Sequence, residues 1–181
     1  MIFKEISSDE LKFNPMTMIG GTWWLITAGN EKNGYNTMTA SWGHLGSLWE
    51  RPEGKAHMGL PTAIVYVRPQ RYTKEFIDRE EWFTLSILGS EYKKALGYFG
   101  SHSGRDGDKV KDAGLTPIYD GKTTYFEEAN MVFVCRKLYH APMIQEGFID
   151  KTLIKHNYKD KDFHEMYIGE IVKCFVATKA V

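Results

Sequence analysis

The sequence predicts a mainly β protein, an antiparallel barrel that is closed or nearly closed and carries a few connecting helices. Six short runs rich in β-branched and aromatic residues recur along the 181 residues. Helical signals are fewer and decorate the connections. The regular strand–helix alternation of a doubly wound sheet is missing. The length suits one domain, residues 1–181, with a sizeable single core.

Taken in order, the strand runs are "TWWLITA" (22–28), "NTMTASW" (36–42), "TAIVYVR" (62–68), "WFTLSIL" (82–88), "MVFVCRKLY" (131–139) and "YIGEIVKCFVAT" (167–178). The Gly/Asn-rich "NEKNGYN" between the first two predicts a hairpin. Helices are expected at "TKEFIDREE" behind Thr73 as N-cap, and at "SEYKKALGYFG", from Ser90 to a stop at Gly97 or Gly100. A third is expected at "SGRDGDKVKDAG", where Ser103 and Asp106 have capping-box spacing.

Charge and motifs exclude several functions. Lys+Arg and Asp+Glu both total 23, so nothing electrostatic points to nucleic acid or a membrane. No apolar run approaches a membrane span, and "MIFKEISSDELKF" is not a signal peptide. Cys135 and Cys174 form no metal or disulfide pattern and read as buried free thiols, so a reducing cytoplasm is expected. There is no GxGxxG and no P-loop. "GSHSG" has His102 where a nucleophile elbow needs serine. The six histidines show no metal-ligand spacing. Ligand binding, or chemistry carried by an organic cofactor, remains.

Three segments carry candidate chemistry. In "NTMTASW", alternation places Thr37, Thr39 and Ser41 on one face and Asn36, Met38, Ala40 and Trp42 on the other. Such a strand could wall a flat heterocycle; alone, a solvated Thr/Ser face accounts for it as well. In "YVRPQRYTKEF", Arg68, Arg71 and Thr73 stand beside a helix start and could cradle a phosphate. They could equally pair with Glu75 or Asp78 on the surface. In "SHSGRDGDK", Ser103, Arg105 and Lys109 could bind an anion, although an ordinary capped helix explains them more simply.

Together, "YNTMTASWGHLGSLWERP", "YVRPQRYTKEFID", "FTLSIL" and "SGRDGDK" resemble the flavin reductase-like, FMN-binding split-barrel family, in its flavoredoxin-like branch. "EEANMVFVCRKLY" and "HEMYIGEIVKCF" resemble its later strands, so the likeness runs from about Phe13 to Ala177. One departure is Gly107, where a small apolar residue is expected. The resemblance implies a homodimer of six-stranded Greek-key split β-barrels, each binding FMN non-covalently near the interface. Asn36 to Trp42 would border the isoalloxazine, with Thr39 and Ser41 hydrogen-bonding to it. Arg68, Arg71 and Thr73 would lie near the phosphate. Ser103, Arg105 and Lys109 would close the site, from the same or the partner subunit.

The resemblance further implies an FMN-dependent oxidoreductase fed by NAD(P)H or a reduced partner protein. A pure electron-transfer flavoprotein is one rival. The other is a non-catalytic split barrel that binds a flat phosphate-bearing ligand. No side chain is singled out as catalytic; His44 is the nearest candidate and reads more simply as a loop histidine. The five tryptophans supply apolar surface for a dimer, unless the core takes them.

Overall fold

In the computed structural model, which describes residues 2–53 and 58–178, the apolar runs become strands of one large antiparallel sheet. In chain order the elements are β1 (Ile2–Ile6), α1 (Pro15–Thr17), β2 (Trp24–Asn30), β3 (Gly34–Ala40), β4 (Gly43–Leu48) and β5 (Leu60–Val67). Then come α2 (Thr73–Arg79), β6 (Trp82–Leu88), α3 (Lys93–Ser101), α4 (Lys109–Asp112), β7 (Pro117–Tyr119) and β8 (Thr124–Phe126). β9 (Ala129–Pro142), α5 (Thr152–Asn157) and β10 (Glu165–Thr178) complete the chain.

The sheet has eight strands in the order β3-β2-β6-β9-β10-β5-β4, with β1 on β10; β7 and β8 form a separate ribbon. β6, β9 and β10 are consecutive neighbours, and β5, whose connection through α2 crosses to β6 on their far side, lies beside β10, which is Greek-key connectivity. β10 carries β9 along one edge. Its other edge is divided: residues 165–170 pair with β5 and residues 174–178 with β1. One register shift, at Ile168/Gly169, falls within the stretch paired with β5, and a second, at Ile171/Lys173, falls between the two partners.

β2 is buried at every position, because it is covered on both faces. Trp24, Ile26 and Ala28 join Val65, Phe83, Leu85, Phe133 and Tyr167 inside the barrel. Leu25 faces outward, beneath Leu96 and Phe99 of α3 and Phe126 of β8. Of the tryptophans, Trp24 is fully buried, whereas Trp42 and Trp49 are exposed. Cys135 and Cys174 are buried and free, as expected; burial pushes both thiols above their ordinary value.

The 82–88 strand and the hairpin, in which Asn30 pairs with Gly34, lie where the sequence puts them. Three helix starts differ. Thr73 is not the N-cap of α2 but its first residue, with a buried side chain. α3 begins at Lys93 after a 3₁₀ turn from Ser90 to Tyr92, and passes through Gly97 and Gly100 to Ser101. Ser103 and Asp106 form no capping box: the chain turns there, and α4 starts at Lys109 with Asp108 Oδ1 accepting from the Lys111 amide. Among the described residues, no helix is long and apolar enough to cross a membrane.

Candidate functional site

The two ends of the sheet path, β3 and β4, are consecutive in the chain, and only Ser41 and Trp42 join them. A link that short keeps the two end strands within roughly 10 Å where they meet. Yet the recorded strand pairs join β3 to β2 and β4 to β5, not β3 to β4. The barrel is therefore closed by the chain itself while its hydrogen-bond ladder stays open. The run 36–42 that reads as one strand is in fact a strand end plus this link.

A cavity of about 220 Å³ lies beside the link, lined by Met38 to Trp42 together with Tyr66, Arg68, Arg71 and His164. Two separate segments of the sequence prediction thus meet in one place. The hydroxyl face behaves differently from expectation. Thr37 is fully buried and away from this cavity, its Oγ1 donating to the Ile26 carbonyl at 3.3 Å and lying 2.8 Å from Thr27 Oγ1. Thr39 Oγ1 donates to the Leu96 carbonyl at 2.6 Å, which pins β3 to α3. Only the Ser41 hydroxyl has no hydrogen bond to another described residue.

The predicted cations divide into two groups. Arg68 is engaged: it pairs with Asp162, donates to the Asn157 carbonyl at 2.9 Å and lies 5.1 Å from the Tyr158 ring centroid. Arg105 pairs with Glu75 and stacks 4.5 Å from the Tyr72 ring centroid. Ser103 Oγ is taken by the Arg105 amide, 3.2 Å away. The pairing of Arg68 or Arg71 with Glu75 or Asp78 does not occur: Arg68 pairs with Asp162, Glu75 takes Arg105, and Asp78 takes Lys74.

Arg71 and Lys109 form no ion pair among the described residues. Arg71 Nη1 donates to the Gly100 carbonyl at 2.8 Å, and Lys109 Nζ to the His102 carbonyl at 3.3 Å. Lys109 is buried, and its pKa is depressed from 10.5 to about 8, first by burial and then by the charge of Arg71. Two neighbouring cations without a carboxylate make a site that favours an anion.

The surroundings of these two cations are locked. Asn36 Nδ2 donates to Thr73 Oγ1 at 2.7 Å, tying β3 to the first turn of α2. The loop before α4 presses onto the same pair: a Cβ on Gly104 would lie 2.1 Å from Asn36 Oδ1. Asn36 and Thr73 thus shape the site from behind, and neither lines the cavity at the link.

Sequence reasoning missed three residues here. His164 lines the cavity, with its ring centroid 5.0 Å from that of Trp42 and 6.4 Å from that of Tyr66. Its Nδ1 lies 2.8 Å from Tyr158 Oη. Burial, followed by the charge of Arg68, lowers its pKa from 6.5 to about 4, so the imidazole is neutral near pH 7. His44, the nearest candidate for a catalytic role in the sequence, sits at the surface 3.3 Å from Tyr66 Oη. Among the described residues no cluster of His, Cys, Asp and Glu could hold a metal ion.

Solved structures share this architecture. Flavoredoxin of Desulfovibrio vulgaris (Miyazaki F) is 24% identical, with 86% of this chain and 69% of that chain covered, at a TM-score of 0.61. Flavoredoxin from Methanosarcina acetivorans is 19% identical, with 96% and 78% covered, at 0.63. An FMN-binding domain of a flavin reductases-like enzyme from Shewanella baltica OS155 is 12% identical, with 97% and 77% covered, at 0.63. At these identities the likeness establishes the fold, a split barrel. No curated protein matches the chain. The family described as Flavin reductase like domain matches residues 57–181. The match takes in Arg68, Arg71, Lys109 and His164 and begins after the Ser41–Trp42 link. With more than half of its length matched, the chain belongs to the Flavin reductase like domain family.

Proposed function

We propose that this protein binds FMN non-covalently and works as an FMN-dependent oxidoreductase, passing electrons from NAD(P)H or a reduced partner protein to flavin or another acceptor. The observation that carries this reading is the pair Arg71 and Lys109, which have no carboxylate partner among the described residues: Arg71 lines the cavity walled by Met38 to Trp42, and Lys109 is close enough to feel its charge. A buried lysine without a counter-ion is costly, and a phosphate would remove the cost. Thr73 Oγ1 accepts from Asn36, which leaves its own hydrogen free to donate.

In this reading Arg71 and Lys109 hold the phosphate, and Met38 to Trp42 border the ring. When bound, FMN supplies hydride and electron transfer. The residues of the chain do the positioning. Ser41 has a free hydroxyl for a polar ring edge, and the open edge of β3 leaves backbone groups unladdered beside it. His164 is held neutral against Tyr158, so it adds no charge to the ring site.

Two further parts of the reading rest on other observations. A homodimer fits the exposed Trp49, Tyr139 and Val172. A cytoplasmic location fits the two free thiols.

An absorption spectrum of the purified protein, with FMN added if it is colourless, tests the assignment. A flavin spectrum that bleaches on anaerobic NADH or NADPH supports the reductase. Bleaching only by a reduced partner supports an electron carrier. No flavin signal after FMN addition would leave the rival reading, a non-catalytic binder of another flat phosphate-bearing ligand.

A further inference from the structure

Two cavities meet at the Ser41–Trp42 link, and they differ in charge. The smaller one holds Arg68 and Arg71. The larger one, of about 750 Å³, shares Ser41, Trp42 and Tyr66 with it, and none of its lining residues is Asp, Glu, Lys or Arg. Ile19 and Leu45 form part of one wall. The opposite wall comes from the β9–β10 connection, through Met143, Phe148 and Leu153.

Apart from the Ser41 hydroxyl and the Trp42 indole N–H, which have no hydrogen bond to another described residue, the polar side chains of the larger cavity already have partners. Tyr66 Oη lies 3.3 Å from His44 Nδ1, and Tyr158 Oη lies 2.8 Å from His164 Nδ1. Asn157 Nδ2 donates to the Leu153 carbonyl at 3.0 Å, and the Asn157 carbonyl accepts from Arg68. A charged ligand would lose its hydration there and find no opposite charge. The pyrophosphate of a nucleotide would find no cation and no helix N-terminus of useful length. An apolar ring would gain from burial, and the volume falls in the range of small-molecule sites, roughly 300–1,000 Å³.

We propose that this cavity binds an uncharged, flat, largely apolar carbonyl compound, of the size of a bicyclic quinone, in contact with Trp42. The site adjoins the proposed flavin site and gives that reading a second, neutral ligand. Met16, which is 77% exposed, and Leu153, which is 48% exposed, stand at its mouth and line the way in.

The test is equilibrium dialysis of the full chain, with and without saturating FMN, against menadione and against its charged counterpart 1,4-naphthoquinone-2-sulfonate. Menadione is expected to bind saturably, one per chain, and the sulfonate at least tenfold more weakly. Leu153→Arg should weaken menadione at least tenfold and narrow its advantage over the sulfonate. Met16→Glu, at an exposed rim position, should weaken menadione in the same direction. Equal affinity for the two probes would overturn the proposal. So would unchanged menadione binding in both variants, or no saturable binding at all. A parallel FMN titration separates the two ideas. Menadione binding without FMN binding would sink the flavin reading alone. FMN binding without menadione binding would sink this inference alone.

Discussion

Asn36 Nδ2 lies 2.7 Å from Thr73 Oγ1, and both side chains are buried, so one hydrogen bond fixes β3 against the start of α2. Thr73→Val keeps the shape and removes the shorter of the two hydrogen bonds that the Asn36 amide donates, leaving it the Thr37 carbonyl at 3.4 Å. The expected loss is about 1–3 kcal/mol in urea unfolding. Asn36→Ala and the double variant complete a cycle, and the two losses should not add. Additive losses would mean that the bond contributes nothing of its own.

Lys109 gives the ligand-free protein an alkaline signature. Its folded pKa of about 8 lies below the ordinary 10.5. Between those values the unfolded chain holds the extra proton, so stability rises with pH across that window, by up to about 3 kcal/mol. Lys109→Met should flatten the rise and stabilise the ligand-free protein below pH 8. FMN affinity should move the other way, falling above about pH 8 as the ammonium loses its proton. In urea titrations from pH 7 to 10.5, a wild type and variant with parallel profiles would refute the assignment.

Arg71→Ala should weaken FMN by about 10–100-fold, as expected for one lost charge-assisted hydrogen-bonding partner of a phosphate. Arg105→Ala, which removes a cation already paired with Glu75, should change FMN affinity by less than about threefold. Fluorescence titration of FMN measures both. Equal losses would mean that the ion pair does not exempt Arg105.

His164 gives an acid signature of the same origin, a buried cation disfavoured by its surroundings. Its folded pKa, about 4, is below the ordinary 6.5. The unfolded chain therefore takes up the proton first as pH falls from 6.5 to 4, and stability declines over that range, by up to about 3 kcal/mol. His164→Gln should remove this part of the acid decline. Chemical denaturation at pH 7, 5.5 and 4.5 would show it, and an unchanged slope in the variant would count against a buried neutral imidazole.

Gly104→Ala tests how tightly the loop before α4 is seated. The new Cβ would fall 2.1 Å from Asn36 Oδ1, and Asn36 is held by Thr73. The loop must move instead, carrying Lys109 with it. FMN affinity should fall at least tenfold, while thermal stability drops by only a few degrees. An unchanged affinity would show that the loop tolerates the shift.

The legible parts of this protein were those written in local pattern. The 82–88 strand was readable at both ends because apolar and small hydroxylated residues fill it between Glu81 and Gly89. β1 and β4 were not, since "IFKEI" and "GHLGSL" lack an apolar run. The break at Ser41 was hidden because alternation continues through the link. Partner choice was hidden for another reason. Arg68 finds Asp162 across 94 residues, and Trp42 meets His164 across the barrel mouth, distances that no local spacing encodes. Residue types alone singled out the cations, but not which of them would already have carboxylates.

The divided edge of β10 also bears on how the chain is made. β10 lies between β9 and β5, and it receives β1, yet it is synthesised after all three. The edges of β5 and β1 that it covers emerge from the ribosome about a hundred or more residues earlier, which at ~5–20 residues per second is a wait of seconds or longer. Until residues 165–178 arrive, the barrel cannot seat its central strand, and the exposed edges are open to pairing with other chains. The nascent protein should therefore depend on chaperones more than its size suggests, and the dependence should end abruptly when the last strand docks.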